Sequence, residues 1–205
     1  MEIEVKLIPK NKDTFRRILE MDNILSFSAE EASKAIQKDT YYDTPDHKLA
    51  KAGAAYRIRE KGDKLIATFK KERTRKEGLF KREEFEVPIK RGDMGRAASG
   101  EMDIEPIFRM RELLGVGESI VKILTVEDER TTIYLNKYGK VHFELTLDNV
   151  TFTGAKGSRK HQEIELEMKN GDEADMLKIV AFLKRHFDLI PSSESKYEIG
   201  LKAVG

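Results

Sequence analysis

Residues 2–8 alternate strictly, with Glu2, Glu4 and Lys6 on one face and Ile3, Val5 and Leu7 on the other. A period of two marks a strand with two unlike faces. The pattern returns at 64–70, where Leu65, Ala67 and Phe69 alternate with Ile66, Thr68 and Lys70, and at 79–89, where Arg82, Glu84 and Glu86 oppose Glu83, Phe85 and Val87. At 161–169 one face carries His161, Glu163, Glu165 and Glu167, and Glu144, Thr146 and Asp148 come close to repeating it. What constrains the fold is that the second face is charged and not merely polar. Side chains two residues apart stand about 6.6 Å from each other along a strand, and like charges that close are unfavourable unless solvent or a cation screens them.

Taken singly, such faces are the solvated side of amphipathic strands. Taken together they are harder to place outside, because Glu-x-Glu and Arg-x-Arg (Arg57, Arg59) recur in separate strands. If the sheet closes into a barrel, one set of faces must point inward. An interior of clustered acids and bases suits a hard divalent cation with oxygen ligands, together with a polyanion bearing several phosphates. The charge balance agrees: 38 Lys+Arg stand against 37 Asp+Glu, and 37% of the 205 residues are charged, where roughly 25% is usual. A protein that wraps nucleic acid would be clearly basic, so a nucleic-acid partner is not expected. The absence of Cys excludes disulfides, thiol nucleophiles and thiolate zinc sites. Neither a signal peptide nor an 18-residue apolar run is visible; a cytoplasmic protein with no membrane partner is the expectation. The length suits a single domain spanning residues 1–205, one large barrel.

The rest of the chain fills in this outline. Asn11 is placed to cap a helix carrying Phe15, Ile18 and Leu19, and YYDT (41–44) precedes AAYRIRE (54–60). Residues 91–102 lack periodicity and lead to a short helix over 104–114. Strands resume at 121–135, 140–152 and 161–169, with GAKGSRK (154–160) as a hairpin loop. Asp172 caps a helix reaching Phe187, with Met176, Val180 and Leu183 on its apolar stripe, and SKYEIGL (195–201) reads as a final strand. No phosphate-loop, dinucleotide or H-E-x-x-H motif is present. His47, His142, His161 and His186 are scattered and read as structural or exposed.

The ordered elements resemble the CYTH superfamily, the triphosphate tunnel metalloenzymes. EIEVK (2–6) is similar to the family's ExExK, and YYDTPDHKLAKAGAAYRIRE (41–60) to the segment that ends in paired arginines. ATFK (67–70) supplies a lysine, EGLFKREEFEV (77–87) resembles the R-x-E strand, VHFELTLDNV (141–150) the strand ending in an acid, QEIELE (162–167) the second ExE, and SKYEIGL the late lysine. ExExK alone recurs by chance; seven elements in order are specific. The wording is most similar to that of bacterial inorganic triphosphatases, some of which carry a further helical domain after the tunnel.

The resemblance implies an α+β protein built on a closed eight-stranded antiparallel β-barrel with flanking helices, which binds triphosphate along its axis. Carried over by position, it implies Glu2, Glu4, Asp148, Glu163 and Glu165 as ligands of Mg²⁺ or Mn²⁺. Lys6, Arg57, Arg59, Lys70, Arg82, Arg130 and Lys196 would grip phosphate oxygens, and Glu167 would be a rim residue. Glu84 or Glu86 would orient water, with Lys70 beside them. The implied activity is metal-dependent hydrolysis of tripolyphosphate or of a small molecule carrying a triphosphate. A class IV adenylyl cyclase, making cyclic AMP and pyrophosphate from ATP, and a non-catalytic polyphosphate or nucleotide-binding module are the alternatives. The oligomeric state is left open, a homodimer included.

Overall fold

The computed structural model describes residues 1–115 and 117–205. Among the described residues, ten strands and six α-helices follow in order: β1 (Glu2–Pro9), α1 (Thr14–Leu19), β2 (Asn23–Ile24), β3 (Phe27–Asp43), α2 (Lys48–Lys51), β4 (Ala54–Lys61), β5 (Lys64–Lys76), β6 (Leu79–Ile89), α3 (Met94–Ser99), α4 (Glu105–Leu114), β7 (Val121–Lys137), β8 (Lys140–Gly154), β9 (Gly157–Met168), α5 (Glu173–His186), β10 (Leu189–Pro191) and α6 (Lys196–Val204). The strands hydrogen-bond in the order β1-β6-β5-β4-β3-β7-β8-β9, and β9 returns to β1, so the antiparallel ring closes. Short β10 extends the β6 side of β1, and β2 pairs with β3. Closure removes the open edges that long charged strands would otherwise present.

The alternation decides which faces go outward. Ile3, Val5 and Leu7 join Leu145, Leu147, Ile164 and Leu166 under α5, whose Met176, Ile179 and Leu183 are fully buried there. Tyr56, Ile58, Ala67 and Phe69 pack under α2 and α4 on the opposite side. The β5–β6 hairpin turns on Glu77 (φ 49°) and Gly78 (φ 85°), the pair of left-handed residues that matches strand twist. A Cβ at Gly78 would stand 3.0 Å from the Lys6 carbonyl oxygen, and the Lys6 N–H donates to the Gly78 carbonyl. The tight turn thus fixes Lys6 in β1.

Three sequence expectations are corrected. SKYEIGL is the start of helix α6, not a strand: Ser195 accepts from the Glu198 N–H while the Glu198 carboxylate accepts from the Ser195 N–H, a reciprocal capping box. The β-forming Tyr197 and Ile199 suggested a strand, but the S-x-x-E spacing prevails. The first helix is preceded by Asp13 and not capped by Asn11, and its Leu19 is exposed. The segments read from the sequence did not include β2, β10, α2 and α3, and β3 was read only at its end, since Phe27–Ile36 lacks alternation.

Helix α6 seats on inward-facing apolar side chains at one end of the barrel. Tyr41, Leu124, Val126, Val150 and Phe152 meet Tyr197 and Val204 there, and the Tyr41 and Tyr197 rings stack at 4.9 Å. Gly200 permits this approach, because a Cβ would lie 2.8 Å from Phe152 Cδ1 and 3.3 Å from Leu124 Cδ1. Overpacking of this kind costs about 1–3 kcal/mol. Gly200→Val is therefore expected to lower the urea midpoint with an unchanged slope, measured by circular dichroism.

Candidate active site

The charged strand faces all turn into the ring, around a cavity of about 230 Å³. Strand register sets the neighbours: Glu2 opposes Arg82, Lys6 opposes Glu165, Lys70 opposes Glu84, Asp39 opposes Arg59, and Arg130, Asp148 and Glu163 lie side by side across β7, β8 and β9. Every site residue expected from the sequence borders the cavity except Asp148 and Glu163. Those two are fully buried, behind the side chains that line it.

On one wall, Lys70 donates to Glu2 at 2.6 Å and pairs with Glu84 at 2.9 Å. Arg82 pairs with Glu4, and its Nε lies 3.5 Å from Glu2 Oε2. Glu84 is a buried-side partner of Lys70, whereas Glu86 is more exposed and accepts from the Thr68 hydroxyl at 3.0 Å. Burial alone would raise the Glu84 pKa; Lys70 outweighs it, so the carboxylate is held below its ordinary value.

On the facing wall, the carboxylates of Asp148, Glu163 and Glu165 bring one oxygen each within 4.8 Å of the others. Lys196, in the first turn of α6, reaches Asp148 at 2.7 Å and Glu163 and Glu165 at 2.9 Å. Arg130 donates to Asp148 through Nε at 2.8 Å and Nη2 at 2.6 Å, and to Glu165 at 2.5 Å. Lys6 contacts Glu165, Glu4 at 3.3 Å and Glu163 at 3.5 Å. Burial draws the Lys6 pKa down to about 7 despite Glu163, with Lys196 adding to the fall. Glu2 and Glu4 lie outside the three-carboxylate cluster; Glu4 shares Lys6 with it, and Arg82 in turn links Glu4 to Glu2. Glu167 sits further along the same face, where burial raises its pKa and Lys169 pairs with it at 2.7 Å.

The donor set suits a hard divalent cation. It consists of carboxylate oxygens, and among the described residues the buried Glu163 Oε2 and Glu2 Oε2 have no hydrogen-bond partner. Their orphaning is costly unless a further positive group is to arrive. His161 adds no ligand to the cluster; its ring packs against Phe152, 4.0 Å from Glu163 Oε2, and burial lowers its pKa.

Sequence reasoning missed Asp39 and Asp128. Asp39 is 2% exposed and accepts from both Arg57 and Arg59. Asp128, equally buried, accepts from Gln37 at 3.2 Å and stands 3.7 Å from Arg130. For Asp128 the signal lay in β7, on the same face as Arg130; for Asp39 it was present in β3, where Gln37, Asp39, Tyr41 and Asp43 share one face by period two. It was hidden because the preceding ten residues do not alternate.

An acid limb follows from these pairings. Burial would raise the Asp39 and Asp148 carboxyl pKa values, but Arg57 and Arg59 beside one, and Lys196 and Arg130 beside the other, hold both well below the ordinary 3.8. A carboxyl whose pKa is depressed in the folded state contributes stability above its unfolded value and loses it as pH falls through the folded one. Thermal scans from pH 7 to pH 2 are expected to show the midpoint falling once pH drops below about 4. A midpoint that rises over that interval would contradict the ionised state of these groups.

Comparison with known proteins follows the same geometry. An inorganic triphosphatase of Haemophilus influenzae is 26% identical over 162 residues, covering 79% of this chain and 44% of that protein. The chain thus spans less than half the length of that relative. A Hippeastrum protein, described as an adenylyl cyclase candidate with a dominant triphosphatase activity, superposes with a TM-score of 0.71 at 21% identity, over 100% of this chain and 97% of that one. A candidate adenylate cyclase from Bacillus halodurans gives 0.69 at 24% identity, over 97% and 96%. Both likenesses are of fold. The CYTH domain model matches residues 1–199, and the chain belongs to the CYTH domain family.

Proposed function

We propose that this protein is a divalent-metal-dependent triphosphatase that hydrolyses inorganic tripolyphosphate, or a small molecule carrying a triphosphate, to release orthophosphate. The observation that carries this reading is the meeting of both charge signs inside the ring: Arg57, Arg59, Lys70 and Arg82 border the cavity, and Asp148, Glu163 and Glu165 form a close carboxylate cluster in its wall. A binder of anions alone gains nothing from a cluster of three carboxylates, whereas a polyanion that arrives with a cation uses both. The similarity to an inorganic triphosphatase supports the same substrate class.

Glu2, Glu4, Asp148, Glu163 and Glu165 would hold Mg²⁺ or Mn²⁺, which supplies charge neutralisation on the phosphate oxygens and lowers the pKa of bound water. Phosphoryl transfer depends chiefly on positioning and on neutralising charge. Tripolyphosphate carries about four to five negative charges, matched by several charge-assisted hydrogen bonds. Arg57, Arg59, Lys70 and Arg82 would orient the chain of phosphates, and Lys6, Arg130 and Lys196 would move from their carboxylate partners onto it. Glu84, ionised beside Lys70, is better placed than the more exposed Glu86 to accept a proton from the attacking water. That water's oxygen bonds to the terminal phosphorus, the bond from phosphorus to the bridging oxygen breaks, and pyrophosphate leaves with the electron pair.

The test supplies tripolyphosphate, ATP and thiamine triphosphate separately with Mg²⁺ or Mn²⁺ and measures orthophosphate and cyclic AMP. Orthophosphate from tripolyphosphate is the expected result. Cyclic AMP from ATP without orthophosphate release would replace this reading by the cyclase one.

A further inference from the structure

We propose that Asp39 is a positioning residue for the paired arginines, one that fixes which guanidinium edges face the triphosphate; this rests on the triphosphatase reading above. Asp39 lies in β3 directly opposite Arg59 in β4 and diagonal to Arg57, which itself opposes Tyr41. Both arginines border the cavity and Asp39 does not, so the carboxylate stands behind them. Arg59 gives it one whole edge, with Nε 2.7 Å from Oδ1 and Nη2 2.8 Å from Oδ2. Arg57 gives it Nη1, 3.1 Å from Oδ2. This leaves Arg59 Nη1 and Arg57 Nη2 for the cavity side, and Arg57 Nη2 is 3.8–3.9 Å from Glu86 and Glu84, beyond hydrogen-bond range.

The arrangement differs from that of Lys70, whose partners Glu2 and Glu84 both border the cavity and stand where a phosphate would compete with them. Asp39 has no such access, and its two oxygens are already engaged by the edges that face away from the cavity. An arginine side chain carries about 2 kcal/mol of rotamer entropy, and a bidentate carboxylate removes most of that freedom before the anion arrives. Binding then costs less ordering, which is the advantage of a preorganised site. Because phosphate contacts of this kind act on bound substrate and transition state alike, the effect belongs in KM more than in kcat.

A counterion that merely competes with substrate makes the opposite forecast, since removing its charge would strengthen anion binding. The experiment compares wild type, Asp39→Asn and Asp39→Glu in steady-state tripolyphosphate hydrolysis with Mn²⁺, and in tripolyphosphate binding by calorimetry without metal. Asp39→Asn is expected to raise KM and weaken binding about tenfold while kcat changes less than about threefold. Asp39→Glu, which keeps the charge but displaces the fork by one methylene, is expected to fall between the two, and it decides the question if Asp39→Asn does not fold. Unchanged or tighter binding by Asp39→Asn, or wild-type KM in Asp39→Glu, would overturn the assignment of Asp39. Wild-type protein that does not turn over tripolyphosphate would instead overturn the triphosphatase reading itself.

Discussion

Glu165→Gln is expected to lower metal-dependent tripolyphosphate hydrolysis by about a hundredfold or more and to weaken Mn²⁺ binding in parallel. Of the three clustered carboxylates, Glu165 alone borders the cavity. It is also where Lys6, Lys196 and Arg130 converge, so it links the acidic wall to three of the cations proposed to bind phosphate. Glutamine keeps the shape and one acceptor oxygen but removes the charge. Loss of turnover with a retained circular-dichroism spectrum supports a ligand role. If the cluster is only an internal ion-pair network, the variant melts lower and its folded fraction turns over at the wild-type rate. That outcome would remove Glu165 from the proposed site.

The double substitution Arg57→Ala with Arg59→Ala is expected to affect stability as strongly as binding. Both guanidiniums are buried against Asp39, and their removal leaves a carboxylate with no partner in a dry position. Breaking a buried pair by deleting one side costs about 3–5 kcal/mol. The pH dependence gives a signature. Without the arginines, burial is opposed by Arg130 but no longer by Arg57 and Arg59, so the folded-state Asp39 pKa rises relative to wild type and the neutral acid is favoured more. Relative to wild type, a raised folded pKa removes stability as pH rises through the wild-type and then the variant value. The deficit relative to wild type should therefore shrink as pH falls toward about 4. Adding Asp39→Asn to the double variant should recover most of the stability and none of the tripolyphosphate binding. Denaturant melts at pH 7 and pH 4.5, together with calorimetry, separate the two effects. A deficit that does not depend on pH would contradict the ionised, stranded carboxylate.

Much of the architecture was legible in period-two alternation. β1 and β4 have nearly the expected bounds, and β6 (Leu79–Ile89) has them fully. The charged faces foretold an interior, because closure of a sheet leaves no other place for repeated Glu-x-Glu and Arg-x-Arg. The long strand β3 was not legible along Phe27–Ile36, where Ala, Ser, Glu and Lys follow one another without a clear face and pairing with β7 across a bulge holds the strand. Its Asp39 escaped notice for the same reason, being a lone acid in a segment not recognised as a strand. Helix α6 was mistaken because Tyr197 and Ile199 favour strands, while the decisive information lay in the Ser195 and Glu198 spacing. Depth within the wall was beyond pattern reasoning: Asp148 and Glu163 share a face with Glu144 and Glu165, yet only the latter pair reaches the cavity. That difference arises from where Lys196 and Arg130 fold over them.

The most direct test of a metal-dependent triphosphatase tunnel is orthophosphate release from tripolyphosphate by the wild-type protein, measured with Mn²⁺ or Mg²⁺ and again in excess chelator. The account predicts one orthophosphate and one pyrophosphate per tripolyphosphate with metal and no release without it. Equal release in chelator, or none with either metal, would contradict it.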